Sequence, residues 1–264
     1  MTTAWTTDAA TPDAARAVRL TLLWGLDGVA LRTLGGGRVP NVNEAPLRRR
    51  LEEAELPVVA VDPGLFEGSA ADRAVWLGDL DWLEETAGFC RRVGCGVVRV
   101  GALAAGGGTD ARADALRRAG TVAARHGLRL AVRNEAGSAV ETGAALAALL
   151  HDAAHDTLAA DWRPADALAA GEDPAAGADA LLGVGVACVG VRDGRPEAGG
   201  WTERTVGEGD VGWGRQLEAL AAAGYDGPLV LDALPGPVRT HGLGAATALV
   251  SAARRAVREA RRPT

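Results

Sequence analysis

The chain contains no lysine, so every one of its 28 basic side chains is arginine. No Schiff base can form with a carbonyl substrate, which excludes the imine-forming aldolases. Nor does any segment approach the run of roughly 18 apolar residues that spans a bilayer. Near the amino terminus stand Asp8 and Asp13, where an export signal would carry a basic head. These absences lead to the expectation of a cytoplasmic protein without a membrane partner. Cysteine is sparse and odd in number: Cys90, Cys95 and Cys188 read as free thiols rather than a disulfide framework. Positive charge is also short, with 28 basic against 34 acidic residues and a net charge of −6. No surplus of cations exists to hold nucleic-acid phosphates, and no nucleic-acid partner is expected.

The residues that are present are largely apolar and periodic. Hydrophobic residues make up 48% of 264, enough to bury a core. The length suits a closed α/β barrel built as one domain over residues 1–264. One arrangement recurs: a helical pattern ends at a glycine, and a short β-branched run begins within a few residues. Gly25, Gly94, Gly127, Gly185 and Gly224 mark such joints, because a glycine past the last helical turn can turn left-handed and send the chain back. Counting units gives TAWTT, GVALR, PVVAVD, VVRVGA, RLAVRN, TLAAD, ACVGVRD and PLVLDA as eight strands. Amphipathic helices lie between them, with stripes such as Leu83, Cys90 and Val93 or Leu146, Leu149 and Leu150. The last helix is expected from about Gly244 to Arg262. Alternating strands and helices of this number predict a single (β/α)8 barrel of the α/β class.

In such a barrel the active site lies at the carboxyl ends of the strands. There stand Arg32, Asp62, Arg99, Arg133 with Glu135, Asp161, Arg192 with Asp193, and Asp232. Arg32, Arg133 and Arg192, if they face inward, form a basic mouth that grips a carboxylate or phosphate; alternatively each pairs with a strand-end acid, Arg133 with Asp161 for example. Glu135 lies two residues after Arg133, so an extended strand turns both the same way and a strand that stops early leaves Glu135 in a solvated loop. His241 comes after the last strand and is either a base or the cap of the final helix. His151, His155 and His126 belong to helix ends on the far side and read as surface residues. Trp162 and Trp201 are candidate apolar walls for a ligand, whereas Trp24, Trp76 and Trp82 read as packing residues. The glycine stretches 35–37 and 106–108 come after strands and read as mobile loops on the same face.

The ordered segments GLDGVALR, VRNEAGSAVET, AADWRPADALAAGEDP, VGVRDGR, VGEGDVGW and AAAGYDGPLVLDA resemble the sugar-phosphate isomerase/epimerase family, the xylose-isomerase-like barrels. The resemblance spans almost the whole chain. It implies a divalent metal held by a glutamate, an aspartate, a histidine and a glutamate on strands five to eight, with carboxylates moving a proton beside a polarised carbonyl. At those places this chain has Arg133, Asp161, Gly190 and Asp232, and Ala30 replaces a common glutamate on strand two. Two carboxylates facing an arginine make a poor cation site. The expectation is therefore either no cofactor or a weakly held Mn²⁺, Mg²⁺ or Zn²⁺ on Asp161 and Asp232, and no organic cofactor.

Resemblance and residues together predict an isomerase or epimerase with a degenerate metal site, acting on an anionic or polyhydroxylated small molecule. Asp232 with Glu135 or His241 would move the proton, and Arg133 would replace the metal as electrophile. The substrate-binding set is Arg32, Arg133, Arg192, Trp162 and Trp201, and a homodimer is compatible with the sequence. Metal-independent lyase or dehydratase chemistry and a non-catalytic ligand-binding barrel are the alternatives. A metal-dependent endonuclease is disfavoured by four histidines and the negative charge.

Overall fold

Eight short apolar runs become parallel strands, and after each comes a helix that covers its outer face. In the computed structural model, which describes residues 1–103, 106–198, 200–234 and 238–260, the strands are β1 (Thr2–Thr6), β2 (Gly28–Leu31), β3 (Val58–Val61), β4 (Val97–Val100), β5 (Arg129–Arg133), β6 (Leu158–Trp162), β7 (Val186–Val191) and β8 (Pro228–Leu231). Each pairs with its sequence neighbours, and β1 pairs with β8, so the sheet closes. The helices are α1 (Ala14–Trp24), α2 (Ala45–Glu53), α3 (Arg73–Val93), α4 (Gly108–Arg125), α5 (Gly143–Ala153), α6 (Pro164–Ala169), α7 (Pro174–Leu182), α8 (Trp213–Ala222) and α9 (Val238–Ala260). Among the described residues no helix is long and apolar enough to cross a membrane.

The joints obey local chemistry. All five predicted joint glycines have positive φ, from 65° at Gly127 to 88° at Gly185. Asp13 and Thr142 cap α1 and α5 by accepting from the amides of Arg16 and Ala145. Outward residues of the strands pack on the helices: Trp5 of β1 donates its indole N–H to Thr21 at 2.7 Å and meets Trp24 edge-on at 5.0 Å.

Inside the barrel the side chains form layers. The lower layer is small, with Ala4, Ala30, Ala60, Ala131, Ala159, Cys188 and Val230 in one cluster against which Val97 packs. Two residues further along each strand come the next inward positions, Thr6, Arg32, Asp62, Arg99, Arg133, Asp161, Gly190 and Asp232, staggered in height, with Arg99 opposite Ala131 and Arg133 opposite Asp161. None of these is apolar apart from Gly190, and this set lies at the carboxyl ends.

Three expectations change. Gly35–Gly37 belong to a hairpin that pairs Thr33–Leu34 with Gly37–Arg38, because Gly35 and Gly36 both adopt positive φ, as a tight two-residue turn requires. The final helix begins at Val238 rather than Gly244, and Arg261 and Arg262 lie outside the described residues. Trp82 is 43% exposed, whereas Trp24 and Trp76 are buried. On α3 the buried stripe runs through Trp76, Leu83 and Cys90, and Trp82 lies a step of about 100° off that line.

Candidate functional site

Arg99 occupies the middle of the polar layer. Strand β4 directs it inward, and its guanidinium crosses the barrel to two carboxylates. Nε and Nη2 donate to Asp161 of β6 at 2.8 and 3.2 Å, while Nη1 and Nη2 donate to Asp232, just past β8, at 2.7 and 2.6 Å. Thr6 donates to the same Asp232 carboxylate at 2.7 Å. The Arg99 side chain is 1% exposed, that of Asp161 0% and that of Asp232 13%. Such an ion triad is tolerable in a buried site only because both carboxylates are hydrogen-bonded to the guanidinium, and its remaining negative charge is met by a second arginine.

Gly190 makes room for this arrangement. A Cβ there would come 2.8 Å from Asp232 Oδ2, 3.0 Å from Arg163 Cγ and 3.2 Å from Arg99 Nη2. Arg163, directly after β6, adds a second guanidinium at 3.8 Å from Asp161 and 3.7 Å from Asp232. Its backbone is fixed by Asn134, fully buried, which accepts from the Arg163 amide at 2.9 Å and donates to the carbonyls of Glu141 and Arg163 at 2.9 and 3.0 Å.

A second ionic group fills the neighbouring quarter of the mouth. Arg133 does not pair with Asp161; it reaches Asp62 of the β3 end at 2.9 Å and Glu67 at 3.6 Å. Arg38, from the hairpin after β2, meets the same Asp62 oxygen at 3.0 Å. Arg32 turns to Asp8 at 2.9 Å. Arg192 faces Glu203 at 3.6 Å and Asp166 at 3.9 Å, and lies 5.0 Å over the Trp201 ring. Its neighbour Asp193 accepts backbone N–H bonds from Gly194, Gly207, Gly209 and Val211, which gathers the loop after β7 around one carboxylate.

Electrostatics divide the acids into two kinds. Burial alone would raise the pKa of Asp232, but the Arg99 charge and hydrogen bonds outweigh it and hold the group far below the ordinary range. At Asp62, Arg133, Arg99 and Arg38 likewise overcome burial and leave a value of about 2. Glu203 goes the other way: burial pushes it up, and the attraction of Arg192 only partly offsets this. A half-buried acid with raised affinity for protons beside a guanidinium group is suited to proton transfer.

The sequence-based candidates therefore separate. Asp161, Asp232, Arg133, Arg32 and Arg192 lie at the mouth, although Arg133 serves a different acid from the one expected. Glu135 does not, because β5 stops at Arg133. Asn134 is drawn into its bonds with the Arg163 backbone, and Glu135 is exposed in a loop closed by its amide on the Val140 carbonyl at 2.9 Å. Trp162 points outward: fully buried, it donates to Gln216 of α8 at 3.1 Å and packs over Gly177 of α7. Trp201 remains half-buried at the mouth. His241 lies in the first turn of α9 and is half-buried. His126 contacts Glu84, and His155 contacts Thr157 on the opposite end of the barrel. Arg99, Arg163, Thr6 and Glu203 were not selected as site residues from the sequence. Arg99 stood among the strand-end positions, and its alternation with Val98 and Val100 already placed it inward.

Known proteins of similar shape give the frame for this site. The solved structures similar to the chain include L-ribulose 3-epimerase, at 18% identity and TM-score 0.79 over 99% of both chains. A D-tagatose 3-epimerase-like protein matches at 16% identity and TM-score 0.81, over 98% of this chain and 99% of that one. The probable 3-DHS dehydratase AsbF from Bacillus anthracis matches at 14% and 0.77, over 95% and 98%. At such identities the likeness speaks for the fold alone. No curated protein matches in sequence. The family description "Xylose isomerase-like TIM barrel" matches residues 18–254, and the chain belongs to that family.

Proposed function

We propose that this protein is an isomerase or epimerase of a small hydroxy-carbonyl compound that works without a divalent cation, with the guanidinium of Arg99 in the central position. The observation that carries this reading is the bridge from Arg99 to both Asp161 and Asp232 at 2.6–3.2 Å. A divalent cation does not fit these residues. Both carboxylates are already taken by a fixed cation, Gly190 offers no donor, and Arg133 is itself positive. Among the described residues no three His, Cys, Asp or Glu side chains gather in a way that could hold a metal.

In this scheme Glu203 takes the proton from the carbon beside the carbonyl. The C–H electron pair becomes the C=C bond of an enediolate, and the carbonyl oxygen takes the negative charge. Arg163 and Arg192, whose side chains are partly exposed at the mouth, are the donors for that oxygen. Return of the proton to either face, or to the neighbouring carbon, gives the epimer or the isomer. Asp232, held ionised by Arg99, accepts a substrate hydroxyl. Membership of the xylose isomerase-like barrels supports the reaction class.

The test is hydrogen exchange in D2O, monitored by proton NMR over a panel of ketoses and keto acids, on protein treated with EDTA. Loss of the signal of the proton beside the carbonyl is expected, with a drop of about 100-fold or more in Glu203→Gln. Activity that vanishes with EDTA and returns with Mn²⁺ would overturn the metal-free reading. No exchange on any substrate would leave a ligand-binding barrel, and water loss from the substrate would identify a dehydratase.

A further inference from the structure

Outside the mouth, between the hairpin after β2, the loop after β3 and the second turn onward of α3, lies an open cavity of about 500 Å³. This falls within the range of small-molecule sites. Its walls include Val39, Pro40, Pro63 and Leu65, with Trp82 on one side and Arg38 at the inner end. Three features make this more than a surface dent.

Trp82 is a large aromatic left 43% exposed, whereas Trp24, Trp76 and Trp213 on other helical surfaces are buried, and its ring lines the cavity. Asp79, one turn before it on the same helix, is anchored by accepting the Phe66 amide at 2.8 Å and supplies a fixed polar group to the apolar wall. Arg38 connects the cavity to the mouth. Its guanidinium passes over Gly64, where a Cβ would come 2.5 Å from Nη2, and ends on the Asp62 oxygen that also receives Arg133. The cavity and the inward charged layer are thus separated by one side chain.

We propose that this cavity binds a planar, apolar part of the substrate, stacked on Trp82, with an acceptor atom turned to Arg38. The substrate of this barrel is then not a bare sugar but a hydroxy-carbonyl compound with an aromatic or fused-ring substituent, an inference that rests on the mouth being the reacting site. Aromatic faces bind such groups by offset or edge contact, and the two charges fix their direction.

The experiment titrates 2-naphthol into the intact protein by calorimetry, alongside Trp82→Ala and Trp82→Phe. Saturable binding is expected, at least about tenfold weaker in Trp82→Ala and intermediate in Trp82→Phe. Either absence of saturable binding up to the solubility limit, or affinities of the two variants within twofold of the parent, overturns the proposal. The D2O exchange assay on the same preparations reports the mouth separately. Exchange without naphthol binding sinks the cavity assignment alone, whereas naphthol binding by protein inert toward every carbonyl compound sinks the substrate reading built on it.

Discussion

Arg99 is the residue on which the centre of the molecule depends. Its replacement by methionine keeps much of the volume but leaves Asp161 and Asp232 buried without their cation. The expected loss is about 3–5 kcal/mol, read by denaturant unfolding. Without Arg99, burial becomes the dominant influence on Asp232 and its proton affinity rises. The deficit relative to the parent should therefore shrink as the pH is lowered, and an unchanged gap across the acid range would show that the two acids are held by something else. Gly190 carries a complementary prediction. Alanine there meets a carboxylate oxygen at 2.8 Å on a group that Arg99 and Thr6 hold in place, so Gly190→Ala should destabilise by about 1–3 kcal/mol through overpacking. Small size is what this position needs, and periodicity alone gives no sign of it.

Among the elements, loops rather than strands carry the parts that sequence patterns leave open. The segment after β7 is organised by Asp193, and in Asp193→Asn the amide nitrogen must face backbone N–H groups. That change should cost about 2 kcal/mol or more and speed proteolysis between residues 195 and 210, which limited digestion with mass spectrometry would detect. Strand positions and glycine joints were legible because each reflects a local property: β-branched runs for the strands, and a left-handed residue at the helix end. The stop of β5 was not, since it depends on Asn134 bonding to the backbone of Arg163, 29 residues away. That one side chain removes Glu135 from the mouth. Trp162 was also misplaced as a ligand wall, although alternation from Asp161 already turns it toward α7 and α8.

For the protein taken together, the loss of stability in acid comes from acids whose folded pKa is depressed. Asp62 falls from 3.8 to about 2, and Asp232 is lowered further. A depressed carboxylate contributes stability that is fully present above its unfolded value and is lost as the pH falls through the folded one. The parent should hold its melting temperature down to about pH 4 and lose it steadily toward about pH 2, which calorimetry across that window would show. A second global expectation concerns metals: EDTA and Mn²⁺ should each leave the melting temperature unchanged, since Arg99 already supplies the positive charge that a bound cation would add.

The closed α/β barrel, the inward polar positions at the strand ends and the family could all be read from neighbouring residues, because strand alternation and helix-end glycines are local properties. The arginine-only basic inventory is likewise a matter of composition. Which acid each arginine meets is settled by the folded barrel alone. Arg99 and Arg133 stand on adjacent strands with the same inward alternation, yet one crosses the barrel to β6 and β8 while the other turns to β3. The choice is made by the missing side chain at Gly190 and by the stagger that sets Arg99 opposite Ala131, two residues before Arg133, and both arise only when residues as far apart as Arg99 and Asp161, 62 positions in sequence, are brought together.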